Sequence, residues 1–368
     1  MSTPLLLACL ALLPAAALLA GVLTYPARSL ARRWGLVDRP GARKIHAEAT
    51  PYGGGVAIVG AFVLLLAGAY LAAIGAIPLP GVGALREALA QHLGGLVDPQ
   101  TVRRLGGILV GGLLMFVLGL VDDKRGLGPG VKLSVQAAAA LLLWAAGVRV
   151  TLFVDHWAAS LVFTLGWMLV VTNAMNLLDN MDGLAAGVGA IASLILLVLA
   201  IQGGQVFVAG ALAVLAGTLL GFLVHNFHPA SVFMGDAGAL FVGYLLGALA
   251  MATTYTGGDA HVAAVVAPLV VLAIPLFDTA SVLVIRWRRG APLMQGDRNH
   301  FSHRLVRLGM TQREAVLTIY ILTASLGVSA TLLTRLDRTG AILVLLHTVG
   351  VLVVVALLEI AAHRKDSA

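Results

Sequence analysis

Asparagine and aspartate residues recur in the segment 173–183, NAMNLLDNMDG, within an otherwise apolar part of the sequence. Asn173, Asn176, Asp179 and Asp182 are spaced by three residues, and on an α-helix this spacing places their side chains along one slanted strip. Their oxygen atoms suit a hard cation such as Mg²⁺. A carboxylate within a membrane is energetically costly, so its presence there indicates a function. The segment therefore indicates a functional site, with a surface turn rich in Asn, Asp and Gly as the alternative.

Further acidic residues lie where other apolar segments begin or end. Asp122 and Asp123 are adjacent, and Asp236 stands in the segment 233–238, FMGDAG. Adjacent carboxylates repel each other, so one of them can hold its proton more tightly and act as a base, or join a metal site. The alternatives are a solvated helix end for the pair and an N-cap for Asp236. Asp278 lies inside an apolar segment, which indicates a function or a buried partner.

Two segments combine basic and imidazole side chains in a way that suits phosphate groups. The segment 43–55, RKIHAEATPYGGG, ends in three glycines, whose backbone N–H groups can approach an anion closely. The segment 297–305, DRNHFSHRL, brings imidazole and guanidinium groups into one loop. The candidate phosphate-binding residues of the two segments are Lys44, His46, His300, His303 and Arg304. Lys132, about one turn inside an apolar segment, either contacts a phosphate or extends to the membrane surface.

The elements that must position these residues are membrane-spanning helices. The 368 residues are 60% hydrophobic and 11% charged, with a mean hydropathy of +0.97, whereas soluble domains carry about 25% charged residues. We predict an all-α, polytopic transmembrane bundle of about eleven helices, forming one domain over residues 1–368. The predicted spans are 4–24, 54–76, 105–121, 131–148, 158–176, 183–202, 206–224, 238–256, 262–285, 316–333 and 340–361. The single Cys9 excludes a cysteine-based metal site.

The distribution of basic residues predicts the orientation of the bundle. With an external N-terminus, the outer loops hold six of the 24 Lys and Arg residues and the inner loops hold the other 18. The positive-inside rule then places the N-terminus outside and the C-terminus in the cytoplasm. Apart from Asp278, which lies inside its span, the acidic and imidazole groups described above fall on the cytoplasmic side. The net charge of +7 is explained by this asymmetry, so we expect no nucleic-acid partner.

The ordered set of motifs resembles one family. RKIHAEATPYGGG, VDDK, NAMNLLDNMDG, FMGDAG and the loop with HFSH follow one another over residues 43–303. In this order and topology they resemble the polyprenyl-phosphate N-acetylhexosamine-1-phosphate transferases, the MraY/WecA family, and are most similar to its WecA/TagO branch, glycosyltransferase family 4. That resemblance implies transfer of a sugar-1-phosphate, expected to be GlcNAc-1-phosphate, from a UDP-N-acetylhexosamine to undecaprenyl or another polyprenyl phosphate. The reaction releases UMP at the cytoplasmic face of the bacterial inner membrane.

The resemblance also implies roles for the candidate residues. Asn176 and Asp236 would hold Mg²⁺, with Mn²⁺ as an alternative ion. The family's catalytic acids correspond to Asp122, Asp123, Asp179 and Asp182. The residues expected to bind substrate are Lys44, His46, Lys132, Asn173, His300, His303 and Arg304. The oligomeric state stays open, with a homodimer as one option.

The sequence departs from the family pattern at two positions. Ser302 stands where the family has a middle His, and Asn180 stands where a Gly is usual.

Two alternative functions follow from the candidate residues described above. One is the sibling transferase that acts on UDP-MurNAc-peptide, and the other is an ion-coupled transporter that uses Asp278 and the strip 173–182. The location of most acids at helix ends favours the transferase.

Overall fold

The computed structural model describes residues 3–38, 49–76, 98–150, 156–253, 266–294 and 299–365, which are mostly helical. The helices are α1 (Thr3–Arg33), α2 (Gly54–Ala73), α3 (Pro99–Arg125), α4 (Pro129–Ala145), α5 (Trp157–Leu178), α6 (Leu184–Gln202), α7 (Val206–Asn226), α8 (Gly235–Ala252), α9 (Ala267–Val271), α10 (Ala273–Arg288), α11 (Phe301–Arg307), α12 (Gln312–Leu332) and α13 (Arg338–Lys365). Two short antiparallel strands, β1 (Val37–Asp38) and β2 (Thr50–Pro51), complete the described elements.

The predicted polytopic helical bundle is confirmed. Within the described ranges, nine helices are long and apolar enough to cross a membrane, and α4 is a shorter apolar helix. The predicted span 262–285 is interrupted in the structure, where α9 ends at Val271 and α10 begins at Ala273. Pro275 has no N–H to donate to the carbonyl of Val271 four residues earlier, which explains the break. The count of eleven spans and the orientation of the termini stay predictions.

The centre of the bundle consists of α6, α7 and α8. In α6 and α8, 83% of the most apolar window is buried inside the protein, against 22% in α1 and α13. Helices that are apolar on all sides either fill a core or face lipid. This difference in burial places α6 and α8 in the core, whereas the outer faces of α1 and α13 are left to contact the acyl chains.

Small residues allow the backbone of α3 to approach that of α8 closely. A Cβ atom placed on Gly119 of α3 would lie 2.3 Å from the backbone nitrogen of Ala237 in α8, so only glycine fits there. Helices in membranes gain affinity from such close packing at small residues. Because Gly119 lies one turn before Asp122 and Asp123, this contact brings their helix end against the start of α8.

A backbone pairing fixes the glycine-rich entry to α2 at the same place. Strand β2 pairs with β1, with Val37 opposite Pro51. The N–H groups of Gly54 and Gly55 then donate to the carbonyls of Phe233 and Met234 at 2.9 Å each. This end of the motif 43–55 therefore lies beside the first residues of α8.

Candidate active site

Four predicted site residues from four helices form one hydrogen-bonded cluster. Lys132 of α4 donates to Asp122 of α3, and its Nζ also lies 3.0 Å from Oδ2 of Asp236 in α8. Asn176 of α5 donates from Nδ2 to Oδ1 of Asp236 at 2.8 Å. The structure thus brings together the DD pair, the basic residue of α4 and the expected metal ligands.

Asp123 closes the start of α8 from the neighbouring helix. Its two carboxylate oxygens accept the backbone N–H groups of Asp236, at 2.8 Å, and Ala237, at 3.2 Å. These N–H groups have no partner within their own helix, and α8 has no side-chain cap from its own N-cap residue. Gly235, the residue before Asp236, has φ +71°, and a Cβ atom there would lie 2.7 Å from Asp123 Oδ2. Asp123 therefore positions Asp236 through the helix backbone.

Burial and neighbouring carboxylates raise the pKa values of two groups at this end of the bundle, Asp179 and Tyr52. Burial, and after it the charges of Asp236 and Asp123, raise the pKa of Asp179 to about 8. Burial and the same group of acids raise the pKa of Tyr52, just before α2, to about 12. Among the described residues, the cluster holds four acids and one lysine, so ionisation of the acids gives an excess of negative charge that favours binding of a cation. The acids are Asp122, Asp123, Asp179 and Asp236, and the lysine is Lys132.

The side chains at Asp236 fit a magnesium ion. The ammonium group of Lys132 already lies between Asp122 and Asp236, so this pair of carboxylates accommodates positive charge in the structure. Among the described residues no group of three or more His, Cys, Asp or Glu could hold a metal ion. Mg²⁺ needs only one or two carboxylates when phosphates and water supply the other oxygens. Asn176 and Asp236 would supply the protein oxygens.

Asn173 has a different partner from Asn176, one turn away. It donates to Gln136 Oε1 at 2.6 Å and accepts from Gln136 Nε2 at 3.3 Å. This reciprocal pair joins α4 to α5 and so helps to place Lys132 relative to Asn176. Gln136 was not predicted as a site residue, since a single glutamine in an apolar segment gives no signal without its partner.

Asp182 holds the loop that leads from α7 to α8. Its Oδ2 lies 2.8 Å from Nδ1 of His228 and accepts the backbone N–H of Ala230 at 3.1 Å. Asn226 adds a second link, because it accepts from the Gly183 N–H and donates to the carbonyl of Val232. The predicted strip is therefore divided. Asn176 belongs to the cluster around Asp236, whereas Asp182 shapes the adjoining loop.

His300 is oriented by the buried acid Asp278. Nδ1 of His300 lies 2.9 Å from Asp278 Oδ2, and the N–H of Phe301 donates to Asp278 Oδ1 at 2.5 Å. His300 and Asp278 are both buried, with 3% and 1% exposure. The ring of His303 lies 6.4 Å from that of His300. Asp278 thus has a buried partner, which is one of the two alternatives that its sequence position indicated.

Arg304 makes several contacts within the protein. Its guanidinium group donates to Glu359 of α13 and Ser281 of α10, both at 2.8 Å, and to the carbonyl of Asn299. These bonds join α11 to two neighbouring helices. A substrate-binding role for Arg304 stays a prediction, as do the roles proposed for the other site residues.

The two residues that depart from the family pattern contact each other. Ser302 Oγ donates to Asn180 Oδ1 at 2.5 Å, and Ser302 is buried. This bond ties the histidine loop to the loop 179–183 beside the carboxylate cluster.

Lys44 and His46 lie outside the described residues, so the structure does not place them.

Comparisons with known proteins identify the family and several relatives of this sequence. The sequence profile of glycosyl transferase family 4 matches residues 105–254. A probable undecaprenyl-phosphate N-acetylglucosaminyl 1-phosphate transferase from Bacillus subtilis is 32% identical over 321 residues, which cover 85% of this chain and 81% of the relative. A decaprenyl-phosphate N-acetylglucosaminephosphotransferase from Mycobacterium tuberculosis is 33% identical, over 83% of this chain and 78% of the relative.

A relative with a different name matches a shorter part of the chain. A phospho-N-acetylmuramoyl-pentapeptide-transferase from Synechococcus is 44% identical over 181 residues, which cover 43% of this chain and 50% of the relative. The relatives with N-acetylglucosaminyl names match over most of their length. From the motifs, the helical bundle and these matches, we conclude that the chain is a multi-pass membrane protein that belongs to glycosyl transferase family 4.

Proposed function

We propose that this protein transfers GlcNAc-1-phosphate from UDP-GlcNAc to a polyprenyl phosphate at the cytoplasmic face of the membrane and releases UMP. The observation that carries the proposal is the cluster of Asp122, Lys132, Asn176 and Asp236 at one end of a membrane bundle. A lipid phosphate reaches such a site from the bilayer, while a sugar nucleotide reaches it from the aqueous side. The names of the relatives favour the same reaction.

Charge is the main obstacle that the site has to overcome. The acceptor phosphate and the diphosphate of the nucleotide are both anions, and their approach needs fixed positive charge. Asn176 and Asp236 would hold Mg²⁺, which offsets the charge of the diphosphate when it is bound. Lys132 is the basic side chain that the structure places at this point.

The ammonium group of Lys132 can pair either with acids of the protein or with the phosphate of the acceptor. Its ammonium group contacts both Asp122 and Asp236. If Lys132 turns to the acceptor phosphate, Asp236 becomes available to the metal and Asp122 loses its counter-ion. A phosphomonoester is largely dianionic at neutral pH, because its second pKa is near 6. Asp122 therefore has little proton to remove, and orientation of the phosphate contributes more.

Direct attack of the lipid phosphate on the sugar-linked phosphorus is the expected route. Asp123 uses both oxygens to accept the N–H groups at the start of α8, which suits a fixed positioning role better than that of a nucleophile. Mass spectrometry of protein quenched during turnover would test this route. A covalent aspartyl-phosphate would show a two-step reaction instead.

The proposal is tested with purified protein, radiolabelled UDP-GlcNAc, undecaprenyl phosphate and Mg²⁺. The expected result is metal-dependent release of UMP together with one lipid-linked GlcNAc for each UMP. Turnover with UDP-MurNAc-pentapeptide alone would assign the sibling reaction. If neither UDP-GlcNAc nor UDP-MurNAc-pentapeptide is turned over, the transferase proposal is contradicted.

A further inference from the structure

A polar cavity lies at the opposite end of the bundle from the candidate active site. Its volume is about 840 Å³, and it lies among the start of α3, the end of α4, the start of α7 and the end of α8. Arg104 in its wall and Asp122 in the candidate active site are 18 residues apart on α3, or about 27 Å at the rise of an α-helix. This distal cavity is therefore separate from the candidate active site.

Three arginines line the distal cavity, and none of the described residues in its lining is an aspartate or a glutamate. A Cβ atom placed on Gly147 would lie 3.5 Å from Nη2 of Arg103 and 3.6 Å from Nε of Arg104, so the two guanidinium groups lie close together. Arg149 lies over the ring of Trp144, 5.8 Å from its centre. Within the part of the chain that the structure describes, these arginines form no salt bridge with an acid. Close like charges without a counter-ion favour the binding of an anion.

The first turn of α7 adds hydrogen-bond donors to the same cavity. Residues 205–208 line it, and the N-cap residue Gln205 makes no side-chain cap bond to the helix. The first turn contains no acidic residue. The N–H groups of Val206, Phe207 and Val208 have no carbonyl four residues earlier within the helix, and such a terminus attracts anions. Helix and arginines thus favour the same kind of ligand independently.

The position and composition of the distal cavity point to a lipid. It lies at the ends of four apolar helices, the depth at which headgroup phosphates of a bilayer meet water. Its wall includes Trp144, Phe207 and Met251, and tryptophan is typical of this interfacial level. A volume near 840 Å³ accommodates a ligand much larger than a bare phosphate ion.

We propose that the distal cavity binds the phosphate of an anionic phospholipid headgroup, in the leaflet opposite the candidate active site. Arg103 and Arg104 bind the phosphate as charge-assisted donors, and the first turn of α7 donates backbone N–H groups to it. Arg149, beside Trp144, supplies the third positive charge at the rim. The site is independent of sugar-phosphate transfer.

Lipid binding by the purified full-length chain tests the proposal. The protein is freed of bound lipid and titrated with phosphatidylglycerol, phosphatidylcholine or inorganic phosphate, and binding is followed by native mass spectrometry and calorimetry. The double variant Arg103→Gln/Arg104→Gln is compared with Arg335→Gln/Arg338→Gln, which removes the same charge at the same end of the bundle but outside the cavity. We expect the first variant to bind phosphatidylglycerol at least tenfold more weakly and the second to bind it as the unaltered protein does.

Each further outcome is decisive. Equal binding of phosphatidylglycerol by the two double variants would overturn the proposal. The proposal would also be overturned if phosphatidylglycerol and phosphatidylcholine bound equally well and inorganic phosphate did not bind. Binding of inorganic phosphate that needs Arg103 and Arg104, without preference between the lipids, would keep the phosphate site and assign it to free phosphate. If the first double variant does not fold, Arg149→Gln is tested in its place, with a fold-change in the same direction expected.

Discussion

Asp236 connects the elements of the candidate active site through both its side chain and its backbone. Its carboxylate accepts from Asn176 and Lys132, and its N–H donates to Asp123. The substitution Asp236→Asn keeps the shape and the backbone bond but removes the charge. We expect transferase activity to fall by about 10²-fold or more, as for other groups that stabilise charge in a transition state. The measurement is UMP release at several Mg²⁺ concentrations.

A control for Asp236→Asn is available at the distal end. Asp337 accepts the N–H of Gly340 at the start of α13, and Asn serves this capping role about as well as Asp. Asp337→Asn should therefore leave activity unchanged. Normal activity and Mg²⁺ dependence in Asp236→Asn would remove this residue from the proposed metal site.

The raised pKa of Asp179 predicts how metal binding depends on pH. Burial and neighbouring carboxylates raise this pKa to about 8, so the group is mostly protonated at pH 7. A cation nearby favours the ionised form, and its binding must therefore release a proton below pH 8. We expect Mg²⁺ affinity to rise between pH 6.5 and 8.5. Calorimetry in buffers of different ionisation enthalpy measures the released proton.

The variant Asp179→Asn provides the control for this pH dependence. It cannot ionise, so proton release and most of the change in affinity between pH 6.5 and 8.5 should disappear. If the unaltered protein binds Mg²⁺ equally well at both values, Asp179 does not titrate with the metal.

The bond between Ser302 and Asn180 predicts that the two unusual residues act as a pair. Removing either partner deprives the other of this hydrogen bond, at a buried position for Ser302 and a half-buried one for Asn180. We expect Ser302→Ala and Asn180→Ala to lower kcat/KM individually, and the double variant to cost less than their sum. The coupling should be about 1 kcal/mol, as for a typical buried hydrogen bond. Ser329→Ala, an exposed change on α12, is the control. Strict additivity would show that the bond has no effect on catalysis.

Individual residues differ in how well their place in the candidate site follows from sequence. The acids at 122–123 and 236 were predictable because a carboxylate at the end of an apolar helix has few structural reasons to be there. Gln136, His228 and Asn226 were not predicted, since their hydrogen bonds join positions far apart in the chain. Ser302 was noticed as a departure, but only the structure shows that Asn180 is its partner.

Among the helices, the contact of α3 with α8 determines the geometry of the site. A methyl group on Gly119 would lie 2.3 Å from the backbone of Ala237, so Gly119→Ala must separate the two helices. Overpacking of this kind costs about 1–3 kcal/mol. It would also move Asp123 away from the N–H groups of α8. We expect a lower unfolding temperature and at least a tenfold loss of transferase activity.

Gly106 supplies a matched control on the same helix. A Cβ at Gly106 meets no atom within 4 Å, so Gly106→Ala should leave both unfolding temperature and activity nearly unchanged. An unfolding temperature in Gly119→Ala equal to that in Gly106→Ala would contradict the close packing of α3 on α8.

The helices themselves were largely predictable from hydropathy, whereas their interruptions and pairings were not. Apolar runs of spanning length have few alternatives in a bilayer, because only helices satisfy their own backbone. The break between α9 and α10 depends on Pro275 in the tertiary context. The pairing of β1 with β2 lies in two-residue strands without a hydrophobic pattern, and no sequence period predicts it.

At the scale of the whole molecule, the two ends of the bundle differ in chemistry. One end holds the carboxylates around Lys132, and the other holds the distal cavity, which is lined by three arginines. A UDP-sugar is present in the cytoplasm, so the proposed reaction requires the carboxylate end to face inward. The distribution of Lys and Arg predicts this same orientation.

Labelling of single cysteines in intact cells tests the orientation directly. Cys9, the sole cysteine, is buried and is first changed to Ala. Lys124→Cys then places an exposed thiol at the carboxylate end, and Arg335→Cys places one at the distal end. A membrane-impermeant maleimide should label position 335 in intact cells and position 124 only after permeabilisation, because charged reagents do not cross the bilayer. The opposite result would place the carboxylates outside, where no UDP-sugar is available, and would contradict both the predicted topology and the proposed reaction.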